Sequence, residues 1–129
     1  MTVRYAVSII GALVGLACSD STAVPALIDG TWTHSDVPGS MVTLVLSAHE
    51  TTVTGSGLWS GEACCAGTIT VTGSIADGAV SLDLVYVTTS GSQRPPSTDH
   101  FVGRVSDTRL SGTMTGHGLT SAYAFLRRP

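Results

Sequence analysis

Short runs in which every second residue is apolar are the feature that most constrains the fold of this chain. In residues 68–72, Ile69 and Val71 alternate with threonines, and in residues 80–86 valine, leucine and tyrosine take every second position. A period of two with one apolar face is typical of strands in an antiparallel sheet that buries one side. No segment after Cys18 sustains the 3.6-residue apolar period of a helix. The sequence therefore predicts an all-β fold.

Eight such runs follow one another, at residues 30–34, 41–49, 52–59, 68–75, 79–88, 100–105, 109–116 and 121–127. The second, fourth and sixth connections are tight (residues 50–51, 76–78 and 106–108). The first, third, fifth and seventh are longer (residues 35–40, 60–67, 89–98 and 117–120). In an up-and-down meander, alternate connections lie at the same end. We therefore predict an eight-stranded antiparallel up-and-down barrel with a turn end, which carries the tight connections, and a loop end, which carries the longer ones. A two-sheet β-sandwich of the same strands is the alternative.

The N-terminal residues have the three-part layout of an export signal. Arg4 precedes an uncharged run at residues 5–17, and a Ser, Asp and Thr-rich stretch begins after Cys18. Thirteen residues at 1.5 Å per helical residue are too short to cross a hydrocarbon core of about 30 Å. The layout therefore predicts a signal peptide at residues 1–17 and not a transmembrane helix.

Gly15-Leu16-Ala17-Cys18 resembles the lipobox of bacterial lipoproteins, in which the cysteine is lipidated and becomes the first residue of the mature chain. The resemblance implies a lipidated tether at residues 18–29, a barrel domain at residues 30–129, and a membrane partner reached through the lipid. Ser19 after the cysteine implies retention at an outer membrane, facing the periplasm or the surface. The alternative is an ordinary signal peptide cut near Ala17 or Ala23, with Cys18 left unmodified.

The charge balance argues against nucleic acid as a partner. The chain has six Lys and Arg residues against nine Asp and Glu residues, and none of the six is a lysine. Removal of residues 1–17 takes away Arg4, which leaves five arginines against the nine acids, with no basic run. Recognition of a phosphate backbone needs a cluster of basic residues.

Cysteine usage is consistent with export. Lipidation of Cys18 would leave only the adjacent pair Cys64 and Cys65, so an oxidising compartment would hold no odd thiol. Adjacent cysteines close a strained ring, and the sequence leaves open both a vicinal disulfide and a free or intermolecularly paired dithiol. Two neighbouring sulfurs rarely point at one ion, so no metal thiolate is assigned.

Gly30-Thr31-Trp32 directly after the tether, eight strands, and an arginine in the last strand resemble the calycin group, which comprises lipocalins and avidins. The small Gly and Thr-rich lipoprotein barrels of bacteria are similar in character. The calycin resemblance implies structural roles only: Trp32 would lie at the floor of the barrel, and Arg127 or Arg128 would pack across it.

An eight-stranded barrel either fills its interior with side chains or holds one small ligand. Near the loop end, the faces assigned inward carry Trp59, Tyr86, Phe101 and Met114, which are therefore candidate ligand-binding residues. Six glycines also face inward, at positions 55, 57, 73, 103, 112 and 116. They either leave a pocket or let short strands bend until the barrel closes. We favour bending, in which case any pocket is a shallow cup near the loops.

The meander brings His34, His100 and His117 to the loop-end rim, where we add them to the candidate ligand-binding residues, and it brings His49 to the turn end. The spacing contains no His-x-His or His-x3-His, so the sequence assigns no metal and no other cofactor.

Ser97, Asp99 and His100 supply the residue types of a hydrolase. Neighbouring residues of a strand point to opposite faces, however, so these three are not expected to act together. Two functions remain, neither of them enzymatic. The first is a cell-envelope binding module whose loop end takes a small apolar or amphipathic ligand. The second is an interaction lipoprotein with a filled core that contacts another envelope protein.

Overall fold

A computed structural model describes residues 27–35, 39–61 and 64–129. They form eight strands: β1 (Gly30–His34), β2 (Met41–His49), β3 (Thr52–Ser60), β4 (Cys65–Ala76), β5 (Ala79–Gly91), β6 (Ser97–Val105), β7 (Arg109–Gly116) and β8 (Leu119–Arg127). Each strand pairs antiparallel with the next, and β8 pairs with β1, so the sheet closes into a barrel. The predicted up-and-down barrel is confirmed and the sandwich alternative is wrong. Across the described residues, no helix is both long and apolar enough to cross a membrane.

The strands at the loop end run further than the sequence indicated. β4 begins at Cys65, β5 continues to Gly91, and β6 begins at Ser97, so the connection between β5 and β6 is only residues 92–96. Apolar alternation stops earlier because these residues lie above the filled core, where neither face of the sheet needs to be apolar. The backbone ladder continues nevertheless, since an unpaired amide or carbonyl group would cost free energy.

Apolar side chains from all eight strands fill the barrel below its loop end. Leu44, Leu82, Leu84, Phe101 and Leu110 are all fully buried, and Phe125 packs edge-on against Phe101 with ring centroids 5.7 Å apart. Phe101 and Met114 are part of this packed core. Side chains fill the interior there, which agrees with the interpretation that the inward glycines let the strands bend and leave no pocket.

Trp32 closes the floor of the barrel at the turn end. Its side chain is fully buried, and its indole N–H donates to the Ile28 carbonyl over 2.9 Å. Of the two arginines left open above, Arg127 is the one that lies over the Trp32 ring, with its guanidinium carbon 4.4 Å from the ring centroid. The same guanidinium donates to the carbonyl oxygens of Leu27, Asp29 and Asp107. One cation therefore links the entering chain, a turn and the last strand.

Residues 27–29, assigned above to the tether, pack as part of this floor. Ile28 is fully buried beneath Trp32, and the Asp29 carboxylate accepts a hydrogen bond from the Ala48 amide over 2.8 Å. The folded unit therefore begins before Gly30. A single buried isoleucine in a short turn has no period that a sequence pattern could reveal.

The inward glycines serve two different purposes. At positions 55, 57, 73, 103 and 112, an added Cβ would collide with a carbonyl oxygen of the neighbouring strand. The space there is already taken by backbone, so these glycines permit close strand approach and leave no cavity. At Gly67 an added Cβ would collide with the side chain of Trp59, and at Gly116 it would collide with the side chain of Asp99. Both of these side chains belong to the candidate site.

Candidate functional site

Above the packed core the barrel opens at its loop end into a cavity of about 450 Å³. We call this cavity the cup. Its walls are formed by Trp59 of β3, Tyr86 of β5, Asp99 of β6, His117 of the β7–β8 turn, and residues 94–96 of the β5–β6 loop. A smaller space of about 150 Å³ adjoins it and shares Trp59 and Tyr86 with it. The two aromatic residues therefore stand at the centre of the loop-end interior.

The cup lies where inward side chains become small or polar. Thr88, Ser97 and Asp99 line it at positions that continue the apolar rows of β5 and β6. One step nearer the floor, Leu84 and Phe101 are fully buried. The change in side-chain type therefore sets the depth of the cup.

Gly67 allows Trp59 to lie across the interior. Trp59 is opposite Gly67 in the β3–β4 ladder, and a side chain at Gly67 would meet the indole nitrogen. The indole N–H instead reaches past β4 and donates to the Val87 carbonyl of β5 over 3.3 Å. Its ring meets that of Tyr86 edge-on, with centroids 6.3 Å apart and planes at 70°. The two rings therefore lie at an angle to each other in the wall of the cup.

Asp99 brings a carboxyl group into this aromatic surrounding. It faces inward opposite Leu84, one step deeper than Tyr86, and a Cβ added at Gly116 would collide with its Oδ1. Oδ1 is buried and has no hydrogen-bond partner within the described residues. Burial raises the pKa of Asp99, against an opposing effect of the His117 charge. Burial also raises the pKa of Tyr86, and the Asp99 charge adds to that rise. A carboxyl group in this state destabilises the fold, which is typical of a functional position.

Replacing Asp99 by asparagine should stabilise the protein at pH 7. The pKa of Asp99 is higher in the folded protein than in the unfolded chain, so the folded protein binds more protons between the two values. The free energy of unfolding therefore falls as pH rises through that interval. Asp99→Asn should remove this fall and raise the free energy of unfolding at pH 7, because a neutral amide does not carry the desolvation cost of a carboxylate. Urea denaturation from pH 4 to pH 8 measures both effects.

Asp83→Asn is the control, because Asp83 lies on the outer wall with His100 as its partner. That variant should be no more stable than the wild type. Identical pH profiles for the wild type and Asp99→Asn would show that the burial of Asp99 has no energetic cost.

The three rim histidines occupy three different environments. His34 faces inward, stacks on Tyr123 with centroids 3.6 Å apart, and makes a 2.7 Å hydrogen bond between Nδ1 and the Ala124 carbonyl. His117 lies in the β7–β8 turn at φ 52° and lines the cup. His100 points outward from β6, away from the cup, because Asp99 before it points inward. The prediction that His100 joins the other two histidines at the rim of the interior is therefore wrong. Asp99, which the meander also predicts at the loop end, lines the cup.

His100 belongs instead to an outer-wall group with the residue types of a catalytic triad. Its Nδ1 is 2.6 Å from Asp83 Oδ1, and its Nε2 is 3.5 Å from Ser81 Oγ. The group lines neither of the cavities at the loop end. Ser81 lies in mid-strand opposite Val102, where backbone amides serve the ladder and are not free to stabilise an oxyanion. We interpret it as a cross-strand surface pair with a neighbouring hydroxyl group.

Phe101 and Met114 lie in the packed core under the cup and do not line it. Sequence reasoning missed other residues of the loop-end interior, among them two with large side chains. Arg94 lines the cup from the β5–β6 loop, and Tyr123 lines the adjoining space. In β8, Tyr123 and Phe125 alternate with alanines, and this pattern predicts that both aromatic side chains point into the barrel.

Cys64 and Cys65 form a vicinal disulfide at the start of β4, close to the β5–β6 loop. The Gly61 amide donates to the Cys65 carbonyl over 2.8 Å, and the Arg94 guanidinium lies 4.0 Å from Cys64 Sγ. The pair thus holds together two of the connections that surround the cup. Cys18 lies outside the described residues, as do Asp36 and Glu62, two acidic residues that the meander also predicts at the loop end.

No metal site emerges from residues 27–35, 39–61 and 64–129, which bring together no three His, Cys, Asp or Glu side chains in ligating positions. Among known proteins, no family model, no curated protein and no solved structure matches this chain. The geometry of the cup is therefore what a functional argument has to use.

Proposed function

We propose that this chain is a cell-envelope lipoprotein whose barrel binds one small apolar or amphipathic ligand in the cup. The observation that carries the proposal is a cavity of about 450 Å³ whose walls include Trp59 and Tyr86. Ligand sites are typically concave spaces of about 300–1,000 Å³ that combine aromatic walls with a few polar groups. Asp99, His117 and Arg94 supply the polar groups here.

The position of the chain entry supports the orientation that a lipid anchor would impose. Ile28 enters beneath Trp32 at the turn end, and the cup opens at the opposite end. An anchor at Cys18 would hold the turn end near the bilayer, so the cup would face away from the membrane. The ligand would then be met in the periplasm or outside the cell.

Binding should be visible with N-phenyl-1-naphthylamine, a neutral apolar dye that becomes fluorescent in apolar sites. Saturable binding at one site is expected, and Trp59→Ala should weaken it about tenfold, since the loss of one aromatic wall is worth about 1.4 kcal/mol. Leu58→Ala is the matched control because Leu58 is the neighbouring residue on the outer face of β3, with 65% of its side chain exposed. Equal dye affinity in the two variants, or no saturable binding to the wild type, would contradict the proposal.

Anchoring has a separate test in the native envelope. If Cys18 is lipidated, the mature chain should partition into detergent and carry the mass of its acyl chains. Each buried methylene contributes about 0.8 kcal/mol, so several chains make the attachment effectively permanent. Cys18→Ser should yield a soluble or uncleaved form, whereas an unchanged membrane fraction would contradict lipidation.

A second candidate function, partner binding, is favoured by the outer wall. β2, β3 and β4 contain no Asp, Glu, Lys or Arg, and Val45 and Leu58 on their outer face are more than half exposed. Uncharged exposed surface is typical of protein contacts. If the dye experiment gives no binding, this wall is the next surface to test, by pull-down with Leu58→Asp as the disrupted variant.

A further inference from the structure

We propose that the ligand of the cup carries a protonated amine, which Asp99 binds at the bottom of the cup while Trp59 and Tyr86 enclose the apolar part. This inference rests on the proposed binding function and names the ligand class that the cup selects. It follows from the contents of the cup, taken from the bottom to the mouth.

The bottom of the cup offers an acceptor that the protein itself does not use. Asp99 is opposite fully buried Leu84 in the β5–β6 ladder and lines the cup. Its Oδ1 is buried against Gly116, so a ligand in the cup would meet the other carboxylate oxygen. No described Arg or His nitrogen lies within salt-bridge distance of this carboxylate, whereas the outer-wall Asp83 has His100 at 2.6 Å. An ammonium group of a ligand would supply up to three N–H donors to it.

The middle of the cup favours a cation over an anion. Trp59 and Tyr86 meet edge-on in the wall of the cup, and Tyr86 lies one step above Asp99. Aromatic faces attract cations, and the attraction is strongest for tryptophan. Both rings also provide apolar area for the body of the ligand.

The mouth of the cup contains a guanidinium group. Arg94 lies in the β5–β6 loop, exposed, with its Nη2 4.0 Å from Cys64 Sγ. It stands beyond Ser97, which is itself one step above Asp99. Positive charge at the mouth and negative charge at the bottom would orient an amine-bearing ligand with its amine inward.

A series of three small molecules with one phenyl body tests the inference: 2-phenylethylammonium, neutral 2-phenylethanol and anionic phenylacetate. The chain has two tryptophans, so an NMR titration follows two indole N–H signals. The Trp59 signal reports on the cup, and the Trp32 signal, from the opposite end of the barrel, is an internal control. We expect 2-phenylethylammonium to bind about tenfold more tightly than 2-phenylethanol, and phenylacetate to bind most weakly.

Variants separate the charge of Asp99 from the shape of the cup. In Asp99→Asn, the affinity for 2-phenylethylammonium should fall several-fold, and the preference over 2-phenylethanol that remains should be the part that the aromatic rings supply. The affinity for 2-phenylethanol itself should not change. Asp83→Asn removes a carboxylate from the outer wall and should change neither affinity. An unchanged Trp32 signal shows that each variant is folded.

The pH profile gives a second readout. Three titratable or charged groups face the carboxyl of Asp99 or share the cup with it: Tyr86 from β5, His117 from the β7–β8 turn, and Arg94 from the β5–β6 loop. Affinity for the ammonium probe should fall as Asp99 is protonated on acidification, and affinity for 2-phenylethanol should not. His117→Asn should retain the fall, because it removes the other group that gains positive charge at low pH.

The outcomes separate this inference from the function on which it rests. Equal binding of the three molecules, or tightest binding of phenylacetate, overturns the amine and leaves a binding cup. No shift of the Trp59 signal with any of the molecules, together with no dye binding, overturns both. A pH dependence that disappears in His117→Asn assigns the selectivity to His117 and overturns the role of Asp99.

Discussion

Trp32→Ala is expected to destabilise the protein by about 3–5 kcal/mol, the usual cost of removing a large aromatic side chain from a core. Trp32 is fully buried, its indole N–H is bonded to Ile28, and Arg127 lies over its ring. The substitution would leave a cavity at the floor and remove the partner of each of these groups. The total stability of a domain of this size is typically about 5–15 kcal/mol, so the loss is a large part of it.

Urea denaturation followed by far-ultraviolet circular dichroism measures the effect without depending on either tryptophan's fluorescence. Trp59→Ala is the matched control, because Trp59 is only partly buried at the open end. It should cost clearly less than Trp32→Ala. Equal losses for the two variants would mean that the floor is not a stabilising centre of the barrel.

Gly112→Ala is expected to cost about 3 kcal/mol, the upper end for placing extra volume in a packed interior. Gly112 of β7 faces Gly103 of β6, and an added Cβ would collide with the Val102 carbonyl and with the Gly103 Cα. The obstacle is backbone on a paired strand, so no side-chain rotation can relieve it. The two strands would have to separate, which opposes closure of the barrel.

Ser111→Ala, on the outer face next to Gly112, is the control and should stay within about 0.5 kcal/mol of the wild type. The same denaturation experiment compares the two variants. A Gly112→Ala protein as stable as Ser111→Ala would show that the strands tolerate a wider spacing, and that the inward glycines are not required for closure.

Most of the barrel could be predicted because its lower part obeys one rule. Where a strand has a filled core on one side and water on the other, every second residue must be apolar, and the sequence states this directly in Val80, Leu82 and Leu84. Each apolar residue assigned inward lies in the core or packs against it. Above the core no face of a strand has to be apolar, so the rule does not apply there. The strands at this end are therefore several residues longer than the sequence predicted.

The candidate site could be predicted in part. Trp59 and Tyr86 were recognisable because they continue apolar rows. Alternation along β6 with Phe101 inward already turns Asp99 inward and His100 outward, but His100 was kept as a candidate because three histidines fall at the loop end. The β5–β6 register adds the depth of Asp99, which lies opposite Leu84 and one step below Tyr86.

By itself, the amino-acid sequence determined the strand count, the antiparallel meander and the two unlike ends, because these follow from local alternation and connection length. Tertiary structure alone decided that Ile28 joins the floor and that Gly67 and Gly116 make room for Trp59 and Asp99. It also decided that Oδ1 of Asp99 has no hydrogen-bond partner in the part of the chain that the structure describes. Each of these depends on which atoms of distant strands meet across the barrel. That information arises only when the sheet closes and the register is set.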